Sequence, residues 1–275
     1  GRLLGWQAGP LLVLLAGAVG AVWLCYRAAR ELGVHYLLAA AGAAMLAGFP
    51  VFIFTSIQTL SDTLATTWTL AALWCGLRAR ASRGWAAACG VALAVAVLVR
   101  PTNLLLAPAL VLLIGWDVRR LAAFVAGGLP GAIWFLSYNH FLYGGALRSG
   151  YGTIHAAFSL AWGWPTAGHF LKWLALLLPA VVLLLPFAAF FGDAKRRREL
   201  AALLLAGGAI VGVYLFYDVS HDVWWCLRFI LPAVAAWLLR ERQFERAGEA
   251  YHLPGHRPLL PVEGQGEADR LWWQL

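Results

Sequence analysis

Charge is what this chain has least of. Only 12% of its 275 residues are Asp, Glu, Lys or Arg, while 62% are hydrophobic and the mean hydropathy is +0.73. An ordinary soluble domain carries roughly 25% charge. So little polar surface cannot coat a water-soluble particle, and lipid has to serve as solvent for most of the length. Cysteine is scarce and unpatterned: Cys25, Cys75, Cys89 and Cys226 have neither paired nor metal-ligand spacing. Neither a disulfide framework nor a zinc site is expected from them. Methionine occurs once, at Met45, and the chain starts at Gly1, which gives the expectation that residues are missing from its N-terminus. The first apolar run lacks a basic leader and a cleavage pattern, so it does not read as a signal peptide. Period-2 alternation is absent too, which argues against a membrane β-barrel. The net charge of +8 suggests nucleic acid at first sight. The cations lie in short clusters between apolar runs, however, and that is a topology signal rather than a nucleic-acid footprint.

What the chain does have is a series of long apolar runs. They lie at 10–26, 34–54, 60–77, 121–141, 170–191 and 199–217. A helix crosses a hydrocarbon core about 30 Å thick with about 20 residues. The run 85–116 is interrupted by Arg100-Pro101-Thr102-Asn103 and reads as two shorter helices meeting at a polar turn, because proline and the residue before it oppose helix continuation. A last helix covers 227–240. Backbone groups cannot be left unsatisfied in lipid, so the expected fold is all-α: a polytopic transmembrane helical bundle of about nine crossings, over 1–240. The segment 241–275 is polar, with Pro254, Pro258 and Pro261, and reads as a mostly disordered cytoplasmic tail.

The Lys/Arg bias fixes the expected orientation. Placing Arg27 and Arg30 in the cytoplasm and alternating puts Arg78, Arg80 and Arg83, then Arg119 and Arg120, then Lys195 to Arg198, and the tail on the same side. Of the 21 basic residues, 16 are then inside, leaving Arg2, Arg100, Arg148, Lys172 and Arg228. The N-terminus is expected outside and the C-terminus in the cytoplasm. Sparse polar residues then collect on the outer face: Ser56 to Asp62, Arg100 to Asn103, His140 to His169, and Asp218 to Arg228. Ionisable groups near the membrane cost a few kcal/mol at depth, so about that much must be explained for each.

Arg100 ends an apolar helix and has two readings: a snorkelling cation, or a contact for a lipid-linked phosphate with Asn103 adding a hydrogen bond. Asp62 opens a helix, where capping or first-turn dipole stabilisation is the ordinary role and a place in a site is the secondary one. The segment from His140 to His169, whose first part, 140–152, holds four glycines among aromatics and Arg148, includes Tyr151 and His155 and reads as a structured, substrate-facing loop. Its histidines lack regular ligand spacing, so no metal ligands are assigned, although a divalent metal stays open. In Asp218-Val-Ser-His221-Asp222-Val-Trp224-Trp225-Cys-Leu-Arg228, the tryptophans suit an interfacial belt. Together with His221, Asp222 and Arg228 they also suit a sugar and a phosphate.

These segments together resemble the GT-C superfamily of membrane glycosyltransferases. The bacterial members in question are akin to protein O-mannosyltransferases, the aminoarabinose transferase of lipid A and RgtA/B/C/D-like enzymes. The resemblance rests on Leu60-Ser61-Asp62 after a Phe-Pro-containing helix, on Val99-Arg100-Pro101-Thr102-Asn103, on Tyr138 through Gly152, and on Trp224-Trp225-Cys-Leu-Arg228-Phe-Ile-Leu-Pro232, within residues 1–240. It implies transfer of a sugar from a polyprenyl-phosphate donor to an acceptor on the non-cytoplasmic face of a bacterial inner membrane. By resemblance Arg100 and Arg228 contact the donor phosphate and Asn103 orients it. Tyr151, His155 and Trp225 surround the sugar or acceptor, and Asp62, His221 and Asp222 are secondary candidates. Such enzymes carry a catalytic carboxylate in their first outer loop, which is general-base work. That loop is expected to be absent from this sequence, so no catalytic residue is assigned. A noncatalytic scaffold or partner subunit is the alternative. A transporter or lipid flippase ranks below it, because no internal repeat is visible and the apolar runs are nearly free of charge.

Overall fold

The computed structural model describes residues 8–148, 158–178, 197–218 and 223–240, all within one compact unit, Gly1–Gln243. The tail from 241, the loop with Tyr151 and His155, the segment 179–196, and His221 with Asp222 lie outside the described residues. Among the described residues every regular element is a helix, and the single β-type contact is an isolated antiparallel bridge between Phe158 and Tyr217. The all-α expectation therefore holds for them.

The first part of the chain forms α1 (Ala8–Glu31), α2 (Tyr36–Gly48), α3 (Pro50–Ser56), α4 (Asp62–Arg78) and α5 (Arg83–Val99). A 3₁₀ turn, Pro101–Leu106, leads into α6 (Ala107–Ile114), and α7 follows over Val118–Tyr143. Beyond these come α8 (Gly163–Leu177), α9 (Arg197–Leu215), a 3₁₀ segment Trp224–Ile230 and α10 (Leu231–Trp237). Local chemistry sets the boundaries. Ser82 accepts a hydrogen bond from the Trp85 N–H at the start of α5, and Asp117 accepts one from the Arg120 N–H at the start of α7. That bond from the Arg120 backbone holds the Asp117 carboxyl below the usual carboxylate range.

Among the described residues three helices, α1, α7 and α9, are long and apolar enough to cross a membrane. The pair α2 and α3 makes a fourth if counted as one span, but it bends by 61°. The run 34–54, expected as one helix, is thus broken. Phe49 sits extended before Pro50, which has no N–H to carry the helix on. Both α4 and α5 have 17 residues, which corresponds to a rise of about 25 Å each.

α4 lies at the centre, packed by α1, α5, α6 and α10, and its buried residues run round it from Asp62 to Gly76. Thr67 on α4 donates to the Gly17 carbonyl of α1 at 2.9 Å. α7 packs on α5 through glycines: a Cβ at Gly90 would run into the Phe124 carbonyl, and one at Gly127 into that of Ala87. Small residues let two backbones approach this closely. The rest of α7 faces outward, with Val125, Ile133, Trp134 and Phe141 all more than half exposed. A 26-residue apolar helix with so little buried surface suits a lipid environment, because lipid tails are as apolar as leucine.

Candidate functional site

The site is built where three helix ends and one 3₁₀ segment meet. Arg100 is the residue before a proline, and it takes the extended backbone that such a position prefers (φ −146°, ψ 113°). α5 ends there, and the side chain is thrown across to the start of α4. Its Nη2 lies 2.5 Å from Asp62 Oδ1, and its Nε donates to Ser61 Oγ at 3.3 Å. Asp62 is only 1% exposed, so this is a buried ion pair. Ser61 holds the cap position of α4 but makes no capping hydrogen bond; its hydroxyl faces Arg100 instead. Ser61 and not Asp62 holds the cap position; Asp62 lies in the first turn of α4, as expected for dipole stabilisation, and pairs there with Arg100.

Arg228 arrives from the 3₁₀ segment Trp224–Ile230. Its guanidinium carbon lies 5.1 Å from the Phe229 ring centroid, and that of Arg100 lies 5.4 Å from the same ring. Both cations act on Asp62. The Nε of Arg228 is buried and meets no acceptor among the described residues. Phe229 is fixed in turn by Tyr214, stacked at 5.1 Å and 14°, and by Tyr217, edge-on at 5.4 Å. The Tyr214 hydroxyl is 3.0 Å from Thr102 Oγ1, which ties α9 to the Arg100 turn.

Beside this cluster Trp225, 39% exposed, stacks on Phe54 of α3 at 6.0 Å and 10°. Trp224 packs against the same phenylalanine. Behind it three hydroxyls form a buried set: Ser56 donates to the Phe52 carbonyl, lies 3.3 Å from Thr63 Oγ1, and Thr63 donates to Thr55.

The structure therefore gathers four of the sequence-predicted residues, Arg100, Arg228, Asp62 and Trp225, through contacts between α3, α4, the Arg100 turn and the 3₁₀ segment. Asn103 is turned away. It is 2% exposed, and its Nδ2 donates to the Ala96 carbonyl at 3.0 Å, closing the last turn of α5. That bond gives Asn103 a bracing role at the helix end beside the donor-orienting one expected from the sequence. The stretch from His140 to His169 is a loop over a shorter length than expected. His140 belongs to the last turn of α7, which a glycine at φ 69° (Gly144) terminates, and His169 lies within α8 with Nε2 3.1 Å from the Val223 carbonyl. Tyr151, His155, His221 and Asp222 lie outside the described residues.

Sequence reasoning gave no role to Ser61, Phe229, Phe54 or Tyr214. Ser61 stands in the Leu60-Ser61-Asp62 motif and Phe229 follows Arg228, but an aromatic beside a cation is too common to single out. Among the described residues no group of three His, Cys, Asp or Glu side chains gathers as a metal site. All four cysteines are buried, with the Cys89 thiol donating to the Ala72 carbonyl.

Comparison with protein-family models, with curated proteins and with solved structures finds no match. The site stands on its own geometry. Asp62, Arg100 and Arg228 together carry one net positive charge, against the Phe229 ring and beside the partly exposed Trp225 indole. Such a set can bind one anionic oxygen group and stack a ring next to it.

Proposed function

We propose that this chain is the body of a membrane glycosyltransferase that takes a sugar from a polyprenyl-phosphate-linked donor and passes it to an acceptor on the non-cytoplasmic face. The observation that carries this reading is the Asp62–Arg100–Arg228 cluster on Phe229, with Trp225 beside it. A polyprenyl-phosphate sugar is a phosphodiester with a single negative charge, which the net positive charge of the cluster would balance. Arg228 supplies a buried Nε with no acceptor among the described residues, and a charge-assisted hydrogen bond to phosphate is a strong one. The Trp225 indole offers the flat apolar surface that a sugar ring stacks on.

The reading includes about nine crossings, a multi-pass topology with an outer N-terminus, and a bacterial inner membrane. Its support is the Lys/Arg bias together with α1, α7 and α9. Arg78 and Asp62 stand at opposite ends of α4, and in this reading the basic loop end faces the cytoplasm and the cluster the outer side. No residue is assigned the general-base role.

One observation favours a second reading, that of a noncatalytic scaffold. Arg100 already has a carboxylate partner within the chain, so the pair is complete without any phosphate. Assay of the purified chain in liposomes with a radiolabelled polyprenyl-phosphate sugar separates the two. Sugar release or transfer that disappears on Arg228→Gln supports the enzyme. A chain that folds, binds no donor and releases no sugar supports the scaffold.

A further inference from the structure

A trough runs between α1 and the α2–α3 pair, from Ser56 beside the cluster to Tyr26, with a cavity volume of about 670 Å³. That is within the range of about 300–1,000 Å³ typical of small-molecule sites. The alanine-rich sequence of α2 makes it. Ala40, Ala44 and Ala47 leave space opposite Val22 and Trp23 of α1, and all three are exposed along one side of the helix. The lining is apolar apart from Tyr26 and Ser56. At one end Ser56 is its hydroxyl, already given to the Phe52 carbonyl and close to Thr63.

The other end differs. Trp23 lines the trough and also carries the Arg27 guanidinium, 5.4 Å from its ring centroid, and Trp74 lies under the same guanidinium at 5.5 Å. Arg78 shares Trp74 but is neutralised by Glu31 at 3.3 Å. Arg27 has no carboxylate partner among the described residues. A cation without a carboxylate partner among the described residues thus lies one indole ring away from an apolar trough, which is the charge pattern of a lipid with an anionic headgroup.

We propose that the trough holds an acyl chain of an anionic phospholipid, with the headgroup phosphate on Arg27. The proposal rests on the helices lying in a bilayer and is independent of any enzymatic activity. Its occupant is a structural lipid with its headgroup at the Arg27 end of α1 and its chain running toward Ser56.

Native mass spectrometry of the full chain tests it, using phosphatidylglycerol and phosphatidylcholine with identical acyl chains as probes. The expected result is about fivefold tighter binding of phosphatidylglycerol, kept in Arg27→Lys and erased in Arg27→Gln. Ala44→Phe, which fills an exposed position in the trough, should displace both lipids while thermal unfolding stays unchanged. Equal binding of the two lipids to the wild-type chain would overturn this proposal alone. So would a preference surviving Arg27→Gln, or one abolished by Arg228→Gln instead. Failure of both lipids to bind would overturn the proposal as well and leave the bilayer reading, which rests on α1, α7 and α9, untouched.

Discussion

The helix α4 carries an arginine–carboxylate pair at each end. At its start Arg100 meets Asp62 at 2.5 Å, with side chains 15% and 1% exposed. At its finish Arg78 meets Glu31 at 3.3 Å, with both side chains 32% exposed. The chemistry is the same and the surroundings are not. Arg78 lies over the Trp85 and Trp74 rings, and Arg27 shares Trp74 with it. That is how cations settle at an interface, with apolar stems along aromatic surface and charged heads toward water. A half-exposed pair of this kind contributes about 0–1 kcal/mol. In the buried pair Asp62 had to shed nearly all its water and Arg100 most of it, which costs several kcal/mol for a fully buried ion before attraction offsets it. Burial therefore separates a pair that needs no special explanation from one that does. A second cation, Arg228, placed at the buried pair strengthens the case that this end has a task beyond holding the helix.

The sharpest way to break the comparison is to remove one partner from each pair. Arg100→Ala leaves the Asp62 carboxylate buried without its partner and should cost about 3–5 kcal/mol in thermal or chemical unfolding. Replacing both together, as Arg100→Leu with Asp62→Leu, should recover most of that loss. If the double variant is as damaged as the single one, the desolvation argument for this end is wrong. Arg78→Ala should cost much less, about 1 kcal/mol, part of it from the lost contact with Trp85. A cost equal to that of Arg100→Ala would erase the distinction between the ends.

Salt sharpens the contrast with no mutation at all. At 1 M ionic strength the Debye length falls to about 3 Å, so the Arg78–Glu31 contribution should vanish while that of Arg100–Asp62 persists. The check is whether the cost of Glu31→Ala, measured at low and high salt, disappears in the second. The smallest effect is expected at Asp117, an exposed cap on the loop before α7. Its carboxyl is held below the usual range by the Arg120 N–H. A depressed folded pKa means that the stability it adds is full above the unfolded value, about 3.9, and fades as pH falls through the lower folded one. The difference between wild type and Asp117→Ala should be constant near neutrality and shrink only in acid. A difference that opens first near pH 6 would point to another group.

The all-helical class and the polar turn at Arg100 were legible because both depend on local chemistry. Apolar runs without alternation require helices, and Arg100-Pro101 forbids continuation of one. That Arg100, Asp62 and Arg228 belong together was legible only as a shared face. Their pairing spans separations of 38 and 128 positions, which no periodicity encodes. Asn103 shows the limit most clearly. Its place beside Arg100 in sequence suggested a shared ligand, but in the 3₁₀ turn its side chain folds back on Ala96. The break at Phe49-Pro50 was in plain view as a Phe-Pro pair. It was absorbed into a single apolar run because hydropathy does not register a missing N–H.

The central claim is that the Arg100 end of α4 is a phosphate-binding site and not a brace. The most direct test is the affinity of the purified chain for a polyprenyl-phosphate sugar, compared between wild type, Arg228→Lys and Arg228→Gln at equal thermal stability. Arg228 is the variant position of choice because the Asp62–Arg100 pair survives its removal. The account predicts a loss of about tenfold or more in Arg228→Gln, the loss of one charge-assisted hydrogen bond, with Arg228→Lys in between. Equal affinity in all three, at unchanged stability, would contradict it.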